Sequence, residues 1–252
     1  MAKKKTYTLE EMIGLAPDEF VEVLAENPRA YMAVRGAVAE RHLAHVLEHL
    51  VSSGQIKEYG TASSDFDKDF EVVTKQGNKV VVECKNAQVL NLGTKTLQAK
   101  YLDFLMEEGR ITQKPKEFKK LAQKFRESGV DRYCFSESFL KTTQVPKEGD
   151  CSAWLKTVEK ASVDFQRTRN STASSGKQVD PKALRFYQHG ELDVLAVCMF
   201  ARTLKWEFVF TTKNGGAMKS HNKFKDRYAN SLKLTEGVWY SDLMSALQEL
   251  GL

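Results

Sequence analysis

Apolar positions in the first fifty residues recur at helical spacing. Pro17-Asp18 starts one predicted helix, with Phe20, Val21 and Leu24 on one side. Asn27-Pro28 starts a second that runs to about Val51, where Ser52-Ser53-Gly54 ends it; its stripe uses Met32, Ala39, Leu43, Val46, Leu47 and Leu50. The pattern then becomes extended. Apolar runs at about Phe70–Thr74 and Lys79–Cys84 predict two strands, and Lys75-Gln76-Gly77-Asn78 predicts the hairpin turn between them. Leu97, Tyr101, Leu102 and Leu105 return to helical register over residues 95–108, and a further helix is predicted from Lys116 to Ser128, stopped by Gly129.

Farther along, Arg132-Tyr133-Cys134-Phe135 is a short strand candidate, and Ser152 is a fair N-cap for a helix reaching about Phe165. Residues 170–182 are polar and read as an exposed loop. Strong strands are predicted at Leu192–Phe200 and Trp206–Thr211, and Ser241 or Asp242 caps a last amphipathic helix to Leu250. No internal repeat and no Pro/Gly-rich linker divides the chain. The pattern predicts one α/β domain over 1–252, with a mostly central sheet and helices around it, an N-terminal helical part at 8–53 and a C-terminal extension over about 213–252.

Composition changes this picture little. With 42% hydrophobic and 28% charged residues, the 252-residue chain fits a globular protein. It has no apolar run of about 18 residues, so no transmembrane helix and no membrane partner are expected. The basic start, Met1-Ala2-Lys3-Lys4-Lys5, lacks the apolar core of a secretory signal. Cys84, Cys134, Cys151 and Cys198 are far apart without C-x-x-C spacing, which predicts reduced thiols in a cytoplasmic protein. The net charge of +5 is mild, but lysines cluster at Lys114, Lys116, Lys119, Lys120 and Lys124, and basic residues again at Lys219, Lys223, Lys225, Arg227 and Lys233. Each cluster is either a track for a phosphate backbone or a solvated face.

The candidate chemistry lies in the hairpin. Side chains alternate along a strand, so Glu83 and Lys85 point one way and Cys84 the other. Glu-x-Lys is weak by itself: Glu117-Phe118-Lys119 repeats it on a helix, where a step of two turns the side chains about 200° apart. Only Glu83-Cys84-Lys85 ends an apolar strand and has an acid upstream across a turn. The triple valine Val80–Val82 argues for a central strand, where unpaired charges are too costly to keep without use. Asp69 and Glu83 are candidate ligands for a hard divalent cation such as magnesium, with the Cys84 backbone carbonyl as a further ligand. Such an ion stabilises charge on a phosphate and helps deprotonate water, and Lys85 would stand near both. Asp67 is the alternative upstream ligand, and Glu71 shares the parity of both. Glu40 falls on the apolar stripe of its helix, three residues before Leu43, where an acid needs a cationic partner or a metal.

Together, Asp69, Glu83-x-Lys85 at a strand end and Glu40 on the preceding helix resemble the PD-(D/E)xK nuclease superfamily. The resemblance is strongest over residues 36–90, with one departure: Lys68 stands where the name's proline would be. Phe165-Gln166-Arg167-Thr168-Arg169-Asn170, then Tyr187-x-x-Gly190-Glu191-Leu192-Asp193-Val194-Leu195-Ala196-Val197, then Trp206-Glu207-Phe208, are similar to later sheet strands of type II restriction endonuclease-like members. The resemblance implies a restriction-endonuclease-like core with a mixed sheet of about five strands. It also implies one or two magnesium ions per active site, sequence-specific hydrolysis of double-stranded DNA to 5′-phosphate and 3′-hydroxyl ends, a homodimer, and a companion methyltransferase. The alternatives are a structure-specific, repair or defence nuclease of the same fold, or a DNA-binding protein without catalysis.

Candidate DNA contacts are Gln166, Arg167 and Arg169 at a predicted helix end, since arginine reads guanine and glutamine reads adenine in the major groove. Lys219, His221, Asn222 and Lys223 follow Gly215-Gly216 and are candidates for gripping phosphate, and Asn86 and Gln88 for touching the backbone near the cut. For each, a plain solvated side chain is the alternative. His45 and His49 have metal-ligand spacing but no His-Glu-x-x-His motif, so a solvated helix face is the better reading; no phosphate-binding Gly-x-x-x-x-Gly-Lys is present.

Overall fold

Gly77 takes a left-handed φ of 87° in the turn between two apolar segments, which lets the chain reverse within four residues. In the computed structural model, which describes residues 8–61, 68–90, 94–127, 144–167, 180 and 183–252, these segments are β2 (Phe70–Thr74) and β3 (Lys79–Asn86), paired antiparallel with Phe70 opposite Val82. They are preceded by helices α1 (Leu9–Ile13), α2 (Pro17–Glu26) and α3 (Pro28–Ser52), and by strand β1 (Ile56–Thr61). After the hairpin come α4 (Lys95–Glu107), α5 (Phe118–Glu127), α6 (Ser152–Leu155), β4 (Ser162–Asp164), β5 (Val194–Cys198), α7 (Phe200–Thr203), β6 (Phe208–Thr212), β7 (Ser231–Lys233) and α8 (Leu243–Glu249).

The chain divides into two compact units: residues 1–35 with 94–135, and residues 36–93 with 136–252. In the first, Thr94 caps α4 by accepting the Leu97 N–H at 3.3 Å, and Leu97, Tyr101, Leu102, Phe104 and Leu105 are its buried face. The second unit holds a mixed five-stranded sheet of order β1-β2-β3-β5-β6, flanked by helices, in which only the β3–β5 pair is parallel. The fold is therefore α/β with a mixed central sheet. Residues after 213 complete this unit: β7 pairs with β4, and α8 packs Leu243, Ala246 and Leu247 into its core.

Alternation sorts the central strands onto two cores. Val80, Val82, Cys84, Val194, Ala196 and Cys198 face one side, with Ala39, Leu43 and Leu47 of α3. Val81, Leu195, Val197 and Val209 face the other, with Phe165, Tyr187 and Trp239. Each fully buried Val or Leu contributes about 1.5–3 kcal/mol, so both layers hold β3 in the middle of the sheet. Asp193 ties β3 to β5: its Oδ2 accepts the Val81 N–H at 2.9 Å and its Oδ1 pairs with Lys213 at 2.7 Å. Asp193→Ala strips Val81 of that acceptor, and the expected result is a loss of about 2 kcal/mol of unfolding free energy in a urea titration at neutral pH.

Several sequence-based expectations need correction. The helix expected from Ser152 to about Phe165 ends at Leu155, and Ser162–Asp164 is a strand. Lys160 between them adopts φ 45°, a left-handed conformation that no helix continues through. Strand β1 was not anticipated; it is a largely exposed edge strand with a register shift between Ile56 and Glu58, and it lacks the alternation that marks buried strands. The strand candidate at 132–135 and most of the polar loop at 170–182 lie outside the described residues. Cys84, Cys151 and Cys198 are buried, while Cys134 lies outside the described residues. No described helix is long and apolar enough to cross a membrane.

Candidate active site

The β2–β3 register, continued one residue past Phe70 and Val82, sets Asp69 opposite Glu83. Asp69 Oδ2 accepts the Cys84 N–H at 2.8 Å, which fastens the carboxylate across the hairpin. Glu83 and Lys85 share a face of β3, and Lys85 Nζ donates to Glu83 Oε1 at 2.5 Å. Their side chains are 7% and 21% exposed, so this is a mostly buried ion pair in the centre of the sheet. Three charged groups therefore meet where β2 begins and β3 ends.

The sequence reading did not single out Tyr187 as a member of the site. Tyr187 is 5% exposed, and its hydroxyl donates to Glu83 Oε1, 104 positions away in the chain. Lys85 Nζ stands 5.4 Å from the centre of the Tyr187 ring. Tyr187 belongs to the stretch that carries the second part of the resemblance, but no local pattern distinguishes its hydroxyl from that of any other half-apolar tyrosine.

Crowding of like charge shapes the electrostatics. Burial, then the neighbouring Glu83, pushes the Asp69 carboxyl up to about 7, against the opposing pull of Lys85 and the Cys84 N–H. Burial works against the Lys85 ammonium, but Glu83, Tyr187 and Asp69 outweigh it and hold its pKa well above the ordinary lysine value. Burial pushes the Tyr187 phenol up, and burial likewise keeps the Cys84 thiol protonated, which makes Cys84 a packing group.

Glu40 is exposed rather than set on the buried stripe of α3, because Ala39, Leu43 and Leu47 take the inward positions and Glu40 falls at their margin. It still stands in the field of the site: partial burial raises its pKa, Lys85 lowers it and Glu83 raises it. Glu71, of the same parity as Asp69, is instead neutralised by Lys68 at 2.5 Å and Lys79 at 2.8 Å. Asp67 lies outside the described residues.

The donor set fits a hard divalent ion. Asp69 Oδ1 and Glu83 Oε2 make no hydrogen bond among the described residues, so each carboxylate keeps one oxygen for a cation. No group of three or more His, Cys, Asp or Glu side chains suited to a metal is present among the described residues. A two-carboxylate site completed by water and substrate phosphate is the usual arrangement for magnesium, and the Cys84 carbonyl remains a further candidate.

The expected DNA contacts distribute differently. Gln166 and Arg167 follow strand β4, not a helix end. Arg167 pairs with Glu191 at 3.0 Å and lies 4.5 Å over the Tyr187 ring, turned inward toward the site. Gln166 donates to Asp164 at 3.2 Å, and Arg169 lies outside the described residues. Gln88 fastens β4 through its N–H to the Ser162 carbonyl and its Oε1 to the Ser162 hydroxyl, both at 2.8 Å. Asn86 ends β3 opposite Cys198, and its Oδ1 is buried without a hydrogen-bond partner among the described residues. His221 Nδ1 accepts the N–H groups of Lys223 and Phe224, each at 3.1 Å, so that ring organises its own turn. Lys219 pairs with Glu236 at 2.5 Å and Lys223 with Asp180 at 3.1 Å, while Asn222 is exposed.

Comparison with protein-family models, with curated proteins and with solved structures gives no match for this chain. Its reading rests on its own residues.

Proposed function

We propose that this chain is a magnesium-dependent DNA endonuclease of the restriction type, with a PD-(D/E)xK active site and a restriction-endonuclease-like core. The observation that carries the reading is the meeting of Asp69, Glu83 and Lys85 at one end of the β2–β3 hairpin, with an ion pair kept in a central strand. A buried ion pair adds little stability for its desolvation cost, so its presence beside a second, crowded carboxylate favours use over structure.

Asp69 and Glu83 would hold the ion, with Glu40 tuning it from the margin. When bound, magnesium supplies charge stabilisation at the phosphate and acidifies a water. Lys85, whose ammonium pairs with Glu83, would orient the attacking water and offset charge on the phosphate. The substrate is double-stranded DNA, cut to 5′-phosphate and 3′-hydroxyl ends. In this reading the protein works as a cytoplasmic homodimer of a bacterium or archaeon, beside a methyltransferase that protects the host sequence.

The test is incubation of the pure protein with a panel of plasmids, with magnesium and with the ion chelated. Discrete fragments that depend on magnesium are the expected result. Magnesium-dependent degradation without discrete fragments would move the reading to a structure-specific or repair nuclease of the same fold. Intact DNA with undiminished DNA affinity would replace it with a DNA-binding protein that lacks catalysis.

A further inference from the structure

Glu83 has two oxygens, and the structure treats them unequally. The Tyr187 hydroxyl and the Lys85 ammonium both donate to Oε1, the latter at 2.5 Å, while Oε2 makes no hydrogen bond among the described residues. Two donors on one oxygen fix the rotation of a carboxylate about its last bond, so the free oxygen has one place to be.

Tyr187 is itself held on its ring. Phe165 stacks on it at 4.9 Å between ring centres, and the Arg167 guanidinium lies 4.5 Å from its centre. Arg167 in turn donates to Glu191 Oε2 at 3.0 Å, and the same oxygen accepts the Gln188 N–H at 2.6 Å, which closes the loop carrying Tyr187. A guanidinium stacked on a ring and tied to a carboxylate is a rigid arrangement. Glu191, Arg167, Tyr187 and Glu83 thus form one connected path from a surface loop to the middle of β3.

We propose that Tyr187 is a positioning residue, which occupies Glu83 Oε1 so that Oε2 is presented, already oriented, to a divalent cation shared with Asp69, and that Arg167 and Glu191 hold Tyr187 in that role. This rests on the metal-site reading given above. Groups that hydrogen-bond a metal ligand from behind set its direction, and their loss costs on the order of 10- to 100-fold in metal affinity.

The experiment is calorimetric titration of the DNA-free protein with Mn2+, an ion suited to the same carboxylate donors as magnesium. The parent is compared with Tyr187→Phe, which keeps the stacked ring and removes only the hydroxyl. Circular dichroism establishes that the variant folds. The expected result is a Mn2+ dissociation constant raised about 10- to 100-fold, with cleavage restored when Mn2+ is saturating. Glu191→Gln, which loosens the Arg167 stack from outside the site, is expected to weaken Mn2+ binding in the same direction by a smaller factor, and it decides the matter if Tyr187→Phe does not fold. A parent that binds Mn2+ beside folded variants with the parental dissociation constant would overturn the assignment of Tyr187 and leave the nuclease reading standing. A parent that binds no Mn2+ and cuts no DNA would overturn both.

Discussion

Lys85→Ala is expected to lower magnesium-dependent cleavage about a thousandfold, the scale of losing one preorganised charge or proton-handling group at a reacting centre. The same change strands Glu83, whose side chain is 7% exposed, with Tyr187 as its remaining donor among the described residues. Breaking a buried pair from one side costs about 3–5 kcal/mol, and the lower figure applies because Lys85 keeps a fifth of its surface in water. Rate and stability therefore fall together, and they are separated by measuring plasmid nicking well below the melting temperature of the variant, with the folded fraction followed by circular dichroism. A folded Lys85→Ala protein that cuts as fast as the parent would remove Lys85 from the mechanism.

Asp69→Asn should separate function from stability in the opposite sense. The amide keeps an oxygen to accept the Cys84 N–H, so the hairpin clasp survives, but the charge that would hold the ion is gone. Cleavage is expected to fall by about a thousandfold, equivalent to several kcal/mol of lost charge stabilisation at the phosphate. The metal-free protein is expected to melt higher than the parent. The Asp69 carboxyl is raised from 3.8 to about 7 by burial and by Glu83, so the folded state binds the proton more tightly than the unfolded state. Stability of the parent therefore declines as pH rises from about 4 to 7, where the unfolded chain loses this proton and the folded chain holds it. The gain from asparagine is full above about pH 7 and shrinks toward zero as the pH falls to the ordinary carboxylate value. Melting curves of parent and variant across that range, without metal, measure it; a variant less stable than the parent at pH above 7 would contradict the crowding of Asp69.

Tyr187 marks the limit of local reading. Glu83 and Lys85 are two residues apart, and Asp69 is brought to them by a four-residue turn, so hairpin geometry alone brings all three together. The partner that orients Glu83 comes from 104 positions away, through a loop whose path depends on the β3–β5 pairing and on Asp193. Arg167 was legible as a basic residue beside a glutamine, a pattern that suits base recognition. Its guanidinium instead turns inward because Glu191 and the Tyr187 ring give it a place there. Glu40 was expected on the apolar stripe itself and is exposed instead, because helical spacing alone does not say which side of a margin meets solvent.

The segment at 152–165 went wrong for a related reason. Leu155, Val158 and Ala161 fall at helical spacing and are all buried, yet the backbone turns at Lys160 and then pairs with β7. The helix expected there fails because the partner strand lies some seventy residues on, far beyond any local window.

What the sequence by itself determined is the hairpin and the meeting of its charges: alternation, a glycine turn and three charged residues at set offsets leave one register that buries Val80 and Val82. The tertiary structure alone decided which donors share a carboxylate oxygen, which basic side chains face inward, and that a distant tyrosine donates to Glu83. Those outcomes depend on contacts between segments whose separation in sequence carries no periodic signal, and such contacts form only when the two cores close around the sheet.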